Sequence, residues 1–307
     1  MRPAIVVVGS ANMDMVVKLI RSPRPGETVF GRTFGMFPGG KGANQAVCAA
    51  KLGARTTFIG KVGPDVLGRR LKETMRQAGV QLTHLMTDPA ASTGTAMISV
   101  DASGENQIIV VSGANMQITP ADIRKHRRAF SGARVVLSQL EIPLESVRET
   151  LRAAKEAGCT VVLNPAPARP LPRSILRNVD YLTPNETEAE ILTGVAVRDL
   201  ATAERAARRL IGLGVGTVIV TLGKRGCFMV CAGGKLHVPA LKVKAVDTTA
   251  AGDAFNGSLA LALARGKSPA EAMCFASSVA AFSVTRMGAQ VSMPWPKELR
   301  AFVRKEP

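Results

Sequence analysis

"AIVVVG", residues 4–9, is an unbroken, largely β-branched run that ends on glycine. It lacks the polar alternation of a strand with one wet face, and so predicts a strand buried on both sides, as in a parallel sheet covered by helices. Similar runs follow at 55–62 ("RTTFIGKV"), 133–140 ("ARVVLSQL"), 159–166 ("CTVVLNPA"), 179–185 ("VDYLTPN") and 216–223 ("GTVIVTLG"). Between them the apolar residues take helical spacing. Leu67, Leu71 and Met75 share one face, as do Leu144, Val147, Leu151 and Ala154, and as do Ala203, Ala207 and Leu210. Strand and helix in alternation predict an α/β fold: a parallel-stranded central sheet flanked by helices on both faces, one domain over 1–307.

Two segments break the rhythm, at about 12–37 and 94–112. Both alternate apolar and polar residues around turn formers, the pattern of half-exposed antiparallel strands. They predict a small β-sheet lid projecting from the main body, whose apolar face needs a cover from a ligand or a second subunit.

The chain has 307 residues, 46% of them apolar and 21% charged, a composition that excludes disorder. Its formal net charge is +17, with "RKHRR" at 124–128 as the densest basic stretch. The basic residues are otherwise dispersed and aromatics are only 4%, too few for a base-stacking platform, so no nucleic-acid partner is expected. A basic surface also suits anionic substrates such as nucleotides. Five cysteines, at 48, 159, 227, 231 and 274, lie mostly in apolar runs and imply no disulfide framework; Cys227 and Cys231, with no paired Cys or His nearby, read as buried free thiols and not a zinc site. Neither a signal peptide nor an apolar segment of the ~20 residues needed to cross a membrane is visible, so the expected location is the cytoplasm.

In open α/β sheets ligands bind beyond the carboxyl ends of the strands. Here those ends carry "GSANMD" (9–14), "SQLE" (138–141), "TPNE" (183–186) and "TLGKRG" (221–226), polar groups suited to one shared rim. "GMFPGGKGANQA", residues 35–46, comes within one residue of a phosphate-binding P-loop, with Gly42 in place of the hydroxyl that would bind Mg²⁺. Its lead-in, "GETVFGRTFGMFP" (26–38), is half polar and no core strand. The donors that remain suit a polyol as well as an anion.

A second glycine-rich stretch is "VDTTAAGDAFNGSLALALARG", residues 246–266. Phe255, Leu259 and Leu263 recur every four residues, which starts a helix near Ala251. The small residues before it leave backbone amides open at the positive end of the helix dipole, a site for an anion. Asp253 in that first turn is a dipole partner by default. Beside an anion hole, it is also placed to accept the proton of a hydroxyl attacking a phosphoryl group.

"GGKGANQA" (39–46) and "DTTAAGDAF" (247–255) closely resemble the two signature regions of the ribokinase family of carbohydrate kinases. The similarity extends from "VVVGSANMD" (6–14) to "VTRMGAQVSMP" (284–294). The resemblance implies an ATP-dependent kinase that phosphorylates the 5-hydroxyl of D-ribose. A kinase for deoxyribose, another sugar or a nucleoside on the same fold is the alternative within the class, and a sugar sensor without turnover the alternative outside it. By resemblance Asn12, Asp14, Gly40, Lys41, Asn44 and Glu141 hold the sugar, so the near P-loop binds sugar and not phosphate. Asp253 is the base, with the amides of Ala250, Ala251, Gly252 and Asp253 as the anion hole. Asn185 and Glu188 match a motif acting near Mg²⁺ and phosphate; without the family, "TPNE" reads as a helix start. Thr221, Gly223, Gly226, Gly252 and Ser277 match the ATP side, although Asn is common in the family at the last position. Asp247, Thr249, Ser283, Arg286, Gly288 and Ser292 match a K⁺ loop that acts mostly through backbone carbonyls. The family also implies a homodimer joined through the lid.

Overall fold

The computed structural model describes residues 3–304; the ends of the expected 1–307 domain lie outside the described residues. In chain order the strands and helices are β1 (Ala4–Val8), β2 (Asn12–Lys18), β3 (Thr33–Gly39), α1 (Lys41–Lys51), β4 (Arg55–Val62), α2 (Val66–Gln77) and β5 (Leu85–Thr87). Then come β6 (Gly94–Val100), β7 (Asn106–Val111), α3 (Pro120–Lys125), β8 (Val135–Ser138), α4 (Leu144–Glu156), β9 (Thr160–Leu163), α5 (Arg173–Leu176) and β10 (Tyr181–Leu182). The remainder is α6 (Glu186–Thr193), α7 (Leu200–Gly212), β11 (Thr217–Thr221), β12 (Cys227–Cys231), β13 (Gly234–Val238), α8 (Ala251–Ala264), α9 (Pro269–Ser283) and α10 (Pro296–Val303).

Nine strands form the central sheet in the order β13-β12-β11-β10-β9-β8-β1-β4-β5. Each of the six apolar runs supplies one of its parallel strands. In β1, Ile5 and Val7 pack into the layer of α1, α2 and α8, while Val6 and Val8 enter the layer of α3, α4 and α7. That is why the run is apolar at every position: alternate side chains point to opposite faces, and both faces are covered. The sheet departs from the all-parallel expectation at one edge, where β11, β12 and β13 run antiparallel. A tight turn suffices to join antiparallel neighbours, and Cys231 and Gly234 close the β12–β13 pair.

The lid is a four-stranded sheet, β3-β2-β6-β7. The expectation of antiparallel pairing holds for β2–β3 and β6–β7 but not for the middle of the sheet, where β2 and β6 run parallel. The two segments leave the central sheet after β1 and β5 and so enter the lid in the same direction; no local pattern encodes that. Cross-strand partners share a face. Asp14 pairs with Phe37 and Ala96, whereas Met15 pairs with Met36 and Met97, so the opposite face carries a row of methionines. Among the cysteines, Cys48, Cys159 and Cys227 are buried and Cys274 is exposed, while Cys231 is only half-buried, which corrects the expectation of burial for it. Cys274 lies on α9, whose surface is partly wet. No helix among the described residues is long and apolar enough to cross a membrane.

Candidate active site

The loop after β1 and the first turn of α1 are pressed backbone to backbone. The amide of Ala43 donates to the Ser10 carbonyl at 2.9 Å. A Cβ on Gly42 would lie 2.7 Å from the Ser10 nitrogen and 2.8 Å from the Gly9 Cα, and one on Gly40 would lie 2.7 Å from the Asn12 nitrogen. The Ser or Thr of a P-loop therefore has no room at residue 42. The strand leading into this loop, β3, belongs to the lid and not to the central sheet.

The same contact gathers the candidate sugar residues. Glu141 accepts from the Ser10 hydroxyl and from the Lys41 amide, the latter at 3.0 Å, and its other oxygen lies 3.9 Å from Lys41 Nζ. Asp14 lies over Gly39, where a Cβ would come within 2.2 Å of its carboxylate. Buried Asn12 accepts from Asn115 Nδ2 at 2.7 Å, and Asn115 also accepts from the Ala11 amide at 2.9 Å.

The first turns of α1 and α8 meet at Asp253, which is only 7% exposed. Asn44 Nδ2 donates to its Oδ2 and Gln45 Nε2 to its Oδ1, both at 2.9 Å. Ala250, which precedes α8, has φ 58° and ψ 17°, the left-handed region that costs a non-glycine residue roughly 1–2 kcal/mol. The amides of Gly252 and Asp253 belong to the first turn, which leaves its N–H groups without intrahelical partners. Two helix N-termini thus converge beside one carboxylate, and their dipoles favour negative charge there.

The electrostatics are those of an acidic cluster around one ammonium. Burial raises the Asp14 carboxyl to about 6, helped by the negative charges of Glu141 and Asp253 and opposed by Lys41. Burial also pushes Asp253 up, against Lys41 and the donors Asn44 and Gln45. For Lys41, burial works against the charge, but Asp253, Glu141, Glu188 and Asp14 outweigh it and raise its pKa.

Asn185 and Glu188 form a reciprocal capping box at the start of α6: Glu188 N donates to Asn185 Oδ1 at 2.8 Å and Asn185 N to Glu188 Oε2 at 2.9 Å. The helix-start reading of "TPNE" is therefore realised. Glu188 also senses the site, since burial raises it while the Asn185 amide and Lys41 hold it down. Thr221 bridges to Asn185, and its amide donates to the Pro184 carbonyl at 2.9 Å. The loop then turns through Gly223–Arg225 to Gly226. Ser277 Oγ sits 3.5 Å from the Sγ of Cys227, which brings α9 against that loop.

Asp247 joins the two candidate K⁺ segments, accepting from the Thr249 amide at 2.9 Å and the Gly288 amide at 2.8 Å. The hydroxyls of Ser283 and Ser292 donate to carbonyls in their own turns, and Arg286 pairs with Glu298 across the Phe282 ring. Those three residues also carry main-chain carbonyl oxygens, the kind of ligand that a hard cation takes.

Sequence reasoning did not name Gln45, Asn115, Gln139, Asn164, Thr183 or Asn256. The available signal was an amide in an apolar run: Gln45 beside Asn44 in "ANQAVCAA" (43–50), Asn164 in "VVLNPA" (161–166) and Asn256 in "AFNGSLALALA" (254–264).

The arrangement has relatives. The family model of pfkB carbohydrate kinases matches residues 2–296. The ribokinase of Haemophilus influenzae is 43% identical over 303 residues, 99% of each chain, and the deoxyribokinase of Salmonella typhi is 39% identical, covering 94% of this chain and 95% of its own. The structure of Arabidopsis thaliana ribokinase complexed with ribose and ATP superposes with a TM-score of 0.94 at 36% identity, over 99% of both chains. A match of that length, together with a buried carboxylate at the paired helix starts, leads to one conclusion: this chain belongs to the pfkB family of carbohydrate kinases.

Proposed function

We propose that the protein transfers the γ-phosphoryl group of ATP to the 5-hydroxyl of D-ribose. The observation that carries this reading is the Asp253 carboxylate, buried where α1 and α8 begin and held by two amide donors. Asn12, Asp14, Gly40, Lys41, Asn44 and Glu141 hold the sugar. Asp253 accepts the hydroxyl proton; the oxygen attacks phosphorus, the bond to the β-phosphate oxygen breaks, and ADP leaves. The amides from Ala250 to Asp253 stabilise the charge on the transferring group, and Thr221, Gly223, Gly226 and Ser277 hold the nucleotide. Asn185 and Glu188 would hold Mg²⁺ together with the phosphates, since their amide and carboxylate oxygens suit a hard cation. When bound, Mg²⁺ neutralises phosphate charge. Asp247, Thr249 and the carbonyls of Ser283, Arg286, Gly288 and Ser292 would hold K⁺. Asp14 places one face of the lid over the sugar, where it excludes water as a competing acceptor.

A deoxyribokinase among relatives of similar identity makes the acceptor the quantity to measure. ADP release with Mg·ATP and K⁺ is expected to be fastest, by kcat/KM, for D-ribose over 2-deoxyribose, fructose and adenosine. Preference for another acceptor would overturn the sugar assignment alone. Sugar binding without turnover would overturn the kinase reading in favour of a sensor.

The opposite lid face supports a dimer. Phe34, Met97 and Ile109 are more than half exposed and line a groove of about 350 Å³ with Met15 and Val17. The same face of a second copy, related by a two-fold axis, would cover it. Sedimentation should give two chains per particle, and Met97→Asp should give one; a monomeric parent protein would overturn the dimer.

A further inference from the structure

A closed ring of buried hydrogen bonds runs through the start of α8. Gln45 Nε2 donates to Asp253 Oδ1 at 2.9 Å and, through its second hydrogen, to Asn164 Oδ1 at 3.1 Å. Asn164 Nδ2 donates to the Thr183 carbonyl at 3.3 Å, and Thr183 Oγ1 donates to Asn256 Oδ1 at 2.6 Å. Asn256 Nδ2 then donates to the Gly252 carbonyl at 2.8 Å. Gly252 precedes Asp253, so the ring closes through one peptide bond. Its five side chains, Asp253 included, come from α1, the ends of β9 and β10, and α8, and all are buried.

The direction of the ring is set by the Asp253 carboxylate, which only accepts. Gln139 Nε2 donates to Gln45 Oε1 at 2.6 Å. Reversing the Gln45 amide would turn its oxygen against the carboxylate and its N–H₂ against another N–H₂ donor, leaving buried groups unsatisfied. Gln45 is fully buried, so it holds the carboxylate without presenting an atom to the substrate.

Packing alone does not require this. Apolar side chains of similar volume would fill the space at no polar cost, so a satisfied polar ring points to a task that needs direction. Resting on the assignment of Asp253 as the base, we infer that Gln45 is a positioning residue for the reaction, fixing the Asp253 carboxylate relative to the amides of the same helix turn. Misplacing a reacting group by about 1 Å costs on the order of 10²-fold in rate, so such fixing is worth keeping. The donor also favours the ionised carboxylate. It does so against burial and against the negative charges of Glu141, Asp14 and Glu188; Lys41 acts in the same sense as Gln45. The remaining neighbour, Cys48, is pushed up to about 12 by burial and stays a neutral thiol.

The test is the pH profile of kcat for the parent enzyme, Gln45→Met, Gln139→Met and Asp253→Asn, with melting curves for each. Gln45→Met keeps the volume and removes the donor. Its kcat should fall about tenfold at pH 7 with KM for the sugar within about twofold, and its acidic limb should move up by about one pH unit, so that rate recovers at higher pH. Gln139→Met, which takes away the donor to Gln45 Oε1 and so loosens the Gln45 amide without reversing it, should move the limb in the same direction by less, and it decides the matter should Gln45→Met not fold. Equal loss at every pH with an unmoved limb would reduce Gln45 to a packing role and overturn the inference, as would unchanged kinetics. Retained turnover in Asp253→Asn would instead overturn the assignment of the base.

Discussion

Asp253→Asn should lower kcat by a factor of about 10²–10⁴, the range a positioned general base contributes, while the protein still folds and binds the sugar. That factor corresponds to about 3–5 kcal/mol of barrier. The fold should survive because of how the two donors are held. Gln45 cannot reverse, so the new amide must present its oxygen there. Asn44 can reverse, since its buried Oδ1 has no partner and can accept from the new N–H₂. Both positions around residue 253 thus stay satisfied, and a charge is removed from a buried site. Single-turnover ADP formation and calorimetry with D-ribose measure the two halves. Turnover within tenfold of the parent would show that another group takes the proton, and loss of sugar binding with loss of rate would show that the carboxylate mainly holds the substrate.

Gly42→Ser, which completes the P-loop pattern on paper, should destabilise the protein by at least about 2 kcal/mol and raise KM for the sugar at least tenfold. Overpacking usually costs roughly 1–3 kcal/mol when side chains can shift. Here the atoms in the way, at 2.7 and 2.8 Å, are backbone atoms of Ser10 and Gly9. Relief must come from parting the loops, which pulls Lys41 and its amide from Glu141 and moves Asn12 with the Ser10 segment. Denaturant melts and sugar titration of the same preparation read both effects. An unchanged melt and KM would mean that the loops part freely and that the failed P-loop match has no steric cause.

The sequence was most legible where the relevant physics is local. Burial on both faces makes every position of "AIVVVG" apolar, and helical spacing marks α2, α4 and α7, because each pattern reports one element against its nearest cover. The short strand β10, only Tyr181–Leu182, was still recognisable from its flanks. The polar rim was readable for a similar reason: strands of one parallel sheet end on the same side, so "SQLE" and "TPNE" had to share an edge. The candidate role of Asp253 was readable from its place in the first turn of a helix beside open amides, whereas that of Glu188 came from motif resemblance; both motifs are contiguous.

What remained belonged to contacts between distant segments. Asn44 meets Asp253 across 209 positions and Asn12 meets Asn115 across 103, so no period in the chain announces either pair. The parallel pairing of β2 with β6 likewise depends on where two separate excursions leave the sheet. Gly42 is a glycine because another loop's backbone lies against it, and Gln45 is an amide because Asp253, Asn164 and Gln139 surround it. The sequence by itself determined the layers and the rim, since hydrophobic periodicity is a property of single elements. Only the tertiary structure decided how the base is held, because a hydrogen bond's direction depends on partners that folding alone brings together.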